Sequence, residues 1–202
     1  MTVFFTSDLH IGHRLVSGYR GFGEEDVDYH DATLARRWDS VVGDDDHIWV
    51  LGDLSAGGLS SQRRALDWVS DRTGIKHLIT GNHDGPHPMF RNAHRMMPEY
   101  LEVFESVAPS ARRKFSIQGQ PVEVLLSHFP YNGDGARMED RYVQWRLRDL
   151  GVPIVHGHVH TPDILTRSLR GTPQIHIGVD ARDMTPVPLD RLTLDLQMAM
   201  AS

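Results

Sequence analysis

Five short polar clusters carry most of the chemistry this chain could perform: Ser7-Asp8-Leu9-His10, Gly52-Asp53, Gly81-Asn82-His83-Asp84, Ser127-His128 and Gly157-His158-Val159-His160. Histidine is abundant, at 13 of 202 residues, and neutral imidazole is the commonest metal ligand in proteins. The donors on offer are carboxylate, imidazole and amide oxygen, with no cysteine. That set suits Mn, Fe, Co, Ni or Zn better than Cu(I) or an iron–sulfur cluster. In extended chain, residues two apart point to one side, so Asp8 with His10, and His158 with His160, are each expected to face one ion. A glycine before Asp53, Asn82 and His158 permits the tight turn that brings backbone close to a ligand. Taken singly, most clusters have an ordinary reading: Gly52-Asp53 and Asn82-His83-Asp84-Gly85 are turn signals, and His128 alone reads as a satisfied core histidine. Gly157-His158-Val159-His160 is the most specific piece, because paired imidazoles at a strand end have few structural uses.

Each cluster follows an apolar run, and those runs are the elements that must position it. Val3–Thr6 reads as a first strand, residues 31–42 as a helix with Asp31 as its cap, and residues 47–51 as a second strand. A helix over 61–72 and a strand over 76–80 follow. Residues 115–117 and 122–126 read as a hairpin, 139–150 as a helix and 153–156 as a strand. Three strand-like stretches end the chain, at 164–169, 174–178 and 192–196. Trp38 and Trp68 lie on amphipathic stripes and are expected in the core. Strands, then helices, then antiparallel strands indicate a layered α/β or α+β sandwich, with residues 1–202 forming one domain. In open α/β sheets, ligands bind outside the carboxyl ends of strands, so five clusters at five such ends could meet in one place.

Bulk composition narrows the function classes. The hydrophobic fraction of 40% and charged fraction of 24% are those of an ordinary globular protein. Net charge is −6, which offers no overall positive field to hold duplex nucleic acid. Without cysteine there is no thiol catalysis and no disulfide. No apolar run approaches the ~18 residues that cross a bilayer, and the N-terminus lacks the form of a signal peptide, so a cytoplasmic location is expected. No G-x-S-x-G elbow, phosphate loop, dinucleotide fingerprint or H-E-x-x-H motif is present.

In order, D-x-H, GD, GNHD, H and GHxH resemble the signature of the calcineurin-like metallophosphoesterase family, over Asp8 to His160. The resemblance is to its small bacterial and phage members. It implies a β-sandwich flanked by helices and a binuclear metal site. Asp8, His10 and His160 would hold one divalent cation, Asn82, His128 and His158 the other, and Asp53 would bridge them. His83 would act on the phosphate as general acid or charge stabiliser, and Asp84 would orient its ring. Two such ions, Mn2+ foremost with Fe, Zn, Ni or Co as alternatives, would direct hydroxide onto phosphorus. The expected activity is phosphodiester hydrolysis on small substrates such as cyclic nucleotides, with phosphomonoesterase activity beside it. The rival readings are a nuclease on short single strands and a non-catalytic scaffold that keeps the fold.

Weaker expectations attach to other residues. His13 and Arg14 could line the substrate mouth, and Tyr131 and Asn132 could contact substrate, although surface or turn roles explain them as well. The loops 19–25 and 131–137 are expected to carry specificity. His156 reads as core, and His176 is given no role. Arg137, Arg141, Arg146 and Arg148 read as the solvated face of a helix.

Overall fold

The structure is a computed structural model and describes residues 1–23, 25–134 and 139–201. Its elements in chain order are β1 (Val3–Thr6), α1 (Arg14–Tyr19), α2 (Val27–Asp39), β2 (His47–Val50), α3 (Leu59–Ser70), β3 (Ile75–Ile79), α4 (Ala93–Leu101), β4 (Ser106–Ala108), β5 (Ser110–Ile117), β6 (Gln120–Ser127), β7 (Ile154–His156), β8 (Leu165–Arg167), β9 (Pro173–His176), β10 (Val187–Pro188) and α5 (Leu189–Ala201). They build two mixed five-stranded sheets, ordered β10-β1-β2-β3-β4 and β5-β6-β7-β9-β8. Strands β1 to β4 run parallel, as do β6, β7 and β9, and the remaining strands are antiparallel. The expected layered α/β sandwich is therefore present.

The parallel strands of the first sheet are buried on both faces, and their side chains alternate between two cores. Phe4, Val50 and Leu78 face one cluster with Leu34 and Trp38 of α2, Ala65 and Val69 of α3, and Tyr100 of α4. Their neighbours Phe5, Leu51 and Ile79 face the other, with Phe115, Val124, Leu126, Val155 and Ile175 of the second sheet and Leu192 and Leu196 of α5. The layers are helices, sheet, sheet, with α5 adding its apolar stripe to the second core. Trp38 is buried and Trp68 packs on the same cluster, as their spacing predicts.

Three expectations are corrected. Residues 192–196 are helical, not a strand: alternation through Leu192, Leu194 and Leu196 suggests period two. The longer series Leu189, Leu192, Leu196 and Ala199 has helical spacing, and the last three are buried. A five-residue window cannot separate the two periods. The helix expected over 139–150 is reduced, within the described residues, to a single 3-10 turn at Val143–Trp145. Tyr142 adopts a left-handed φ of 57°, and Arg146 is drawn inward to donate to the carbonyls of Arg141 and Pro130. Arg146 is thus buried, not solvated, while Arg148 is exposed and Arg137 lies outside the described residues. Finally, α2 begins at Val27, so Asp31 sits inside the helix and accepts hydrogen bonds from the Gly12 amide and Arg64. Helices α1 and α4 and strands β4 and β10 had no signal strong enough to read, α4 being interrupted by Pro98.

Among the described residues no helix is long and apolar enough to cross a membrane. The tail's helical packing has a direct test. Leu196→Ala would remove a fully buried side chain from the inter-sheet core and lower unfolding stability by about 2–5 kcal/mol, read from urea midpoints.

Candidate metal centre

The parallel strands of both sheets deliver their carboxyl ends to one place. Asp8 follows β1, Asp53 follows β2, Asn82 follows β3, His128 follows β6, and His158 and His160 follow β7. A bridge between Ser7 and Gly178 ties the sheets together beside them. The backbone at these ligand positions is not extended, which corrects the same-side argument from alternation. Asp8, His10, Asp53, His158 and His160 have φ of 60°, 49°, 57°, 75° and 47°. Left-handed backbone is uncommon outside glycine, with Asp and His among the residues that tolerate it best. Its concentration here is the pattern expected where surrounding structure enforces a functional geometry.

Two donor groups result. Asp8, His10 and His160 form one, and Asp53, His128 and His158 the other, the ligand atoms of each lying within 4.8 Å of one another. His10 Nε2 is 3.1 Å from His160 Nε2, and His160 Nε2 is 3.9 Å from Asp8 Oδ1. His128 Nε2 is 3.2 Å from Asn82 Oδ1. Asp53 Oδ2 lies between the groups, 3.8 Å from His10 Nε2 and 3.4 Å from His128 Nε2. The outer ring nitrogens fix which atom faces inward. His10 Nδ1 meets the Ser55 carbonyl at 3.1 Å, His128 Nδ1 the Leu51 carbonyl at 2.7 Å, and His160 Nδ1 the Asp180 carboxylate at 3.0 Å. Each acceptor requires a proton on Nδ1, leaving Nε2 to point at the other donors.

Such a crowd of carboxylate oxygens and inward nitrogens is stable only around positive charge. The imidazoles divide: burial foremost lowers His10 and takes His158 down to about 3, while His128 and His160 are raised. Burial opposes protonation of His128, but the Asp53 carboxylate prevails and raises it to about 9. Burial likewise lowers His160, yet its hydrogen bond to Asp180 and the nearby Asp8 leave it raised. Asp53 is held well below the usual carboxylate range, its burial outweighed by His128, His10 and His83. Divalent cations fit this donor set, since each could take the place of a buried proton among neutral imidazoles and carboxylates.

Residues 1–162 match the family described as calcineurin-like phosphoesterase. The chain belongs to that family. It is 54% identical to the Gene 66 protein of Mycobacterium phage L5 over 181 residues, 88% of this chain and 86% of that protein. It is 46% identical to the Gene 66 protein of Mycobacterium phage D29 over 187 residues, 92% of each chain. In fold it is similar to the crystal structure of a protein of unknown function from Aquifex aeolicus, with a TM-score of 0.64, 21% identity, and 96% and 98% of the two chains covered.

This calcineurin-like phosphoesterase keeps His83 at the edge of the donor groups. Its Nε2 is 3.9 Å from Asp53 Oδ2, and its backbone N–H donates to Asp53 Oδ1 at 2.9 Å. Asp84 does not meet the His83 ring, which corrects its expected role. Its carboxylate accepts from the amides of Gly81, Asp53 and Leu54 at 2.7, 2.9 and 3.0 Å, fastening the GNHD loop to the β2 loop. Burial and the Asp53 charge raise its pKa to about 6. Gly81 and Gly157 are required by close approach: a Cβ on the first would strike Asp53 Oδ1, and on the second Ser7 Oγ and Asp8 Oδ2.

Three positioning residues escape sequence reading. Asp180 orients His160 and is itself gripped by Arg20, whose Nε and Nη2 each lie 2.9 Å from it. Arg20 also donates to the Asp8 carbonyl at 2.7 Å, which steadies the strained loop. Asp134, fully enclosed, lies 2.7 Å from His158 Nε2 and is held by Arg141 Nε at 2.6 Å, with Arg146 Nη2 3.4 Å away. Nothing local marks them, because Arg20 and Asp180 are 160 residues apart. Among the weaker expectations, His13 does adjoin the site, with its ring 5.2 Å from that of His10, while Arg14 is exposed at the start of α1. Tyr131 is buried and donates to the Val152 carbonyl, and Asn132 accepts from the Leu169 amide, so both serve the loop's own structure. His156 is core, stacked 5.5 Å from buried His176.

Two measurements follow. Asp180→Asn, by removing the charge behind His160, is expected to weaken metal affinity about 10–100-fold with little loss of fold. Metal binding at pH 7 should release protons, and apparent affinity should climb with pH towards 9 as His128 loses its proton unaided. Titration calorimetry in buffers of differing ionisation enthalpy reads that release.

Proposed function

We propose that this protein is a metal-dependent phosphodiesterase acting on small diesters, cyclic nucleotides among them, with phosphomonoesterase activity on the same site. The observation that carries the reading is Asp53 Oδ2, placed between two groups of inward-facing donors. Divalent ions held there, Mn2+ foremost and Fe, Zn, Ni or Co as alternatives, would supply Lewis acidity to the phosphoryl oxygens and lower the pKa of the attacking water.

The chain's own residues supply the rest. Asp8, His10 and His160 form the cradle on one side, and Asn82, His128 and His158 that on the other. Asp53 is oriented by the His83 amide, so the loop that carries the acid also fixes the carboxylate that would lie between the ions. His83 stays partly exposed beside the centre, at 36% of its side-chain surface. It can therefore reach a substrate oxygen and deliver a proton from its ring as the P–O bond to the leaving group breaks. Asp84 keeps that loop seated from below. Asp134 and Arg141 stand beside His158 on the far side. Intact ligands and His83 support catalysis over a scaffold role, and the net charge of −6 supports small substrates over long nucleic acid.

With Mn2+ present, the purified protein should hydrolyse a chromogenic aryl diester and, more slowly, the matching monoester, and EDTA should abolish both. His83→Ala should retain its metal content by atomic absorption yet lose on the order of 100-fold in turnover. Metal loss in that variant, or no metal-dependent hydrolysis by the parent protein, would count against the assignment.

A further inference from the structure

A cavity of about 520 Å3 opens directly beside His83 and Asn82, between the start of α3 and the segment leading into α4. It is within the size range of small-ligand sites. Leu59, Phe90 and Met96 provide its apolar wall, and Gln62 its buried polar group. Phe90 and Leu59 keep exposed ring and chain surface there, 37% and 49%, while Met96 closes the floor.

Gln62 is oriented in a way that selects its ligand. Its Oε1 accepts from the Gly85 amide at 2.8 Å and from the Tyr100 hydroxyl at 2.8 Å. The Gly85 N–H can only donate, so the carboxamide cannot be flipped without setting donor against donor. The two N–H groups of Nε2 are thereby left over, and among the described residues nothing accepts from them. That donor is not among the buried atoms without a partner, so it is open to solvent through the cavity, where an incoming acceptor can take the place of water. Gly57 keeps the passage open: it has a φ of 84°, and a Cβ there would come within 3.2 Å of His83 Nδ1.

We propose that this cavity seats the leaving group of the substrate, and that Gln62 Nε2 donates to a ring acceptor on it, selecting a nucleoside over a plain alcohol. The inference rests on the phosphodiesterase reading above. A group protonated by His83 must lie on His83's side of the phosphorus, and that side is this cavity. A planar heterocycle matches its content, because a base can lie against Phe90 while presenting a carbonyl or ring nitrogen to the amide.

Two diesters of methyl phosphate test it, one with uridine as the leaving group and one with phenol. Gln62→Glu keeps an oxygen for Gly85 and Tyr100 but removes the donor. Its kcat/KM should fall by about tenfold or more on the uridine ester relative to the fall on the phenyl ester, the scale expected when a polar partner is left unpaired. Phe90→Ala, a change at a partly exposed wall, should raise KM for the uridine ester. Independently of turnover, titrating uridine into the isotopically labelled protein should shift the Gln62 side-chain amide signals. Equal losses on both esters, or unmoved amide signals, would overturn the subsite while leaving the phosphodiesterase reading intact. Absence of metal-dependent turnover on either ester by the parent protein would overturn both.

Discussion

Carboxylate oxygens and imidazole nitrogens that face one another at 3–4 Å inside a protein repel unless positive charge lies among them, and the architecture is arranged around that demand. Every inward-facing Nε2 with a settled tautomer owes its direction to a partner on the outside. Ser55, Leu51 and Asp180 each hold an Nδ1, so the rings cannot turn away from the centre. The family to which the chain belongs accounts for the charge that satisfies the arrangement, a divalent metal centre. Despite burial, Asp53 raises the pKa of His128, and Asp180 with Asp8 raises that of His160, so these carboxylates favour positive charge beside them.

Holding five ligands in left-handed backbone has a cost, of order 1–3 kcal/mol for each strained residue. The two cores oppose it. Phe5, Leu51 and Ile79 sit immediately behind the ligand loops and are fully buried, so the strand ends cannot shift to relieve the strain. Cross-ties act where the cores stop. Asp84 joins the β3 loop to the β2 loop, the Asp8 carboxylate accepts the His158 amide from the second sheet, and Arg20 binds both Asp180 and the Asp8 carbonyl. Rigidity at the centre therefore comes from polar contacts between loops as much as from the strands themselves.

Around this fixed centre the walls differ in kind. On the His158 side, charge dominates, with Asp134 enclosed by Arg141 and Arg146. On the His83 side the surface is apolar and glycine-lined, with one pinned carboxamide. The first kind of wall suits orientation of ligands and phosphate, and the second suits recognition of an uncharged organic group. One phosphoester with an anionic centre and an aromatic end would meet both.

Residue identity and order alone determined the family signature, the donor residue types, most of the runs that become strands and the absence of any thiol chemistry. These were legible because strand, glycine and ligand lie within a few residues of each other, and hydrophobic runs report strands locally. The later strands were expected antiparallel, whereas β6, β7 and β9 run parallel. The tail was misread where five alternating residues, 192–196, fit a strand and a helix equally well, and only packing of Leu192, Leu196 and Ala199 decides. Asp84's task likewise depended on where Gly81, Asp53 and Leu54 place their amides, which no spacing reports. Arg20, Asp180, Asp134 and Gln62 became functional candidates through tertiary structure alone. Each has a partner 20 to 160 residues away along the chain, and a hydrogen bond depends on distance in space, not on position along the polypeptide.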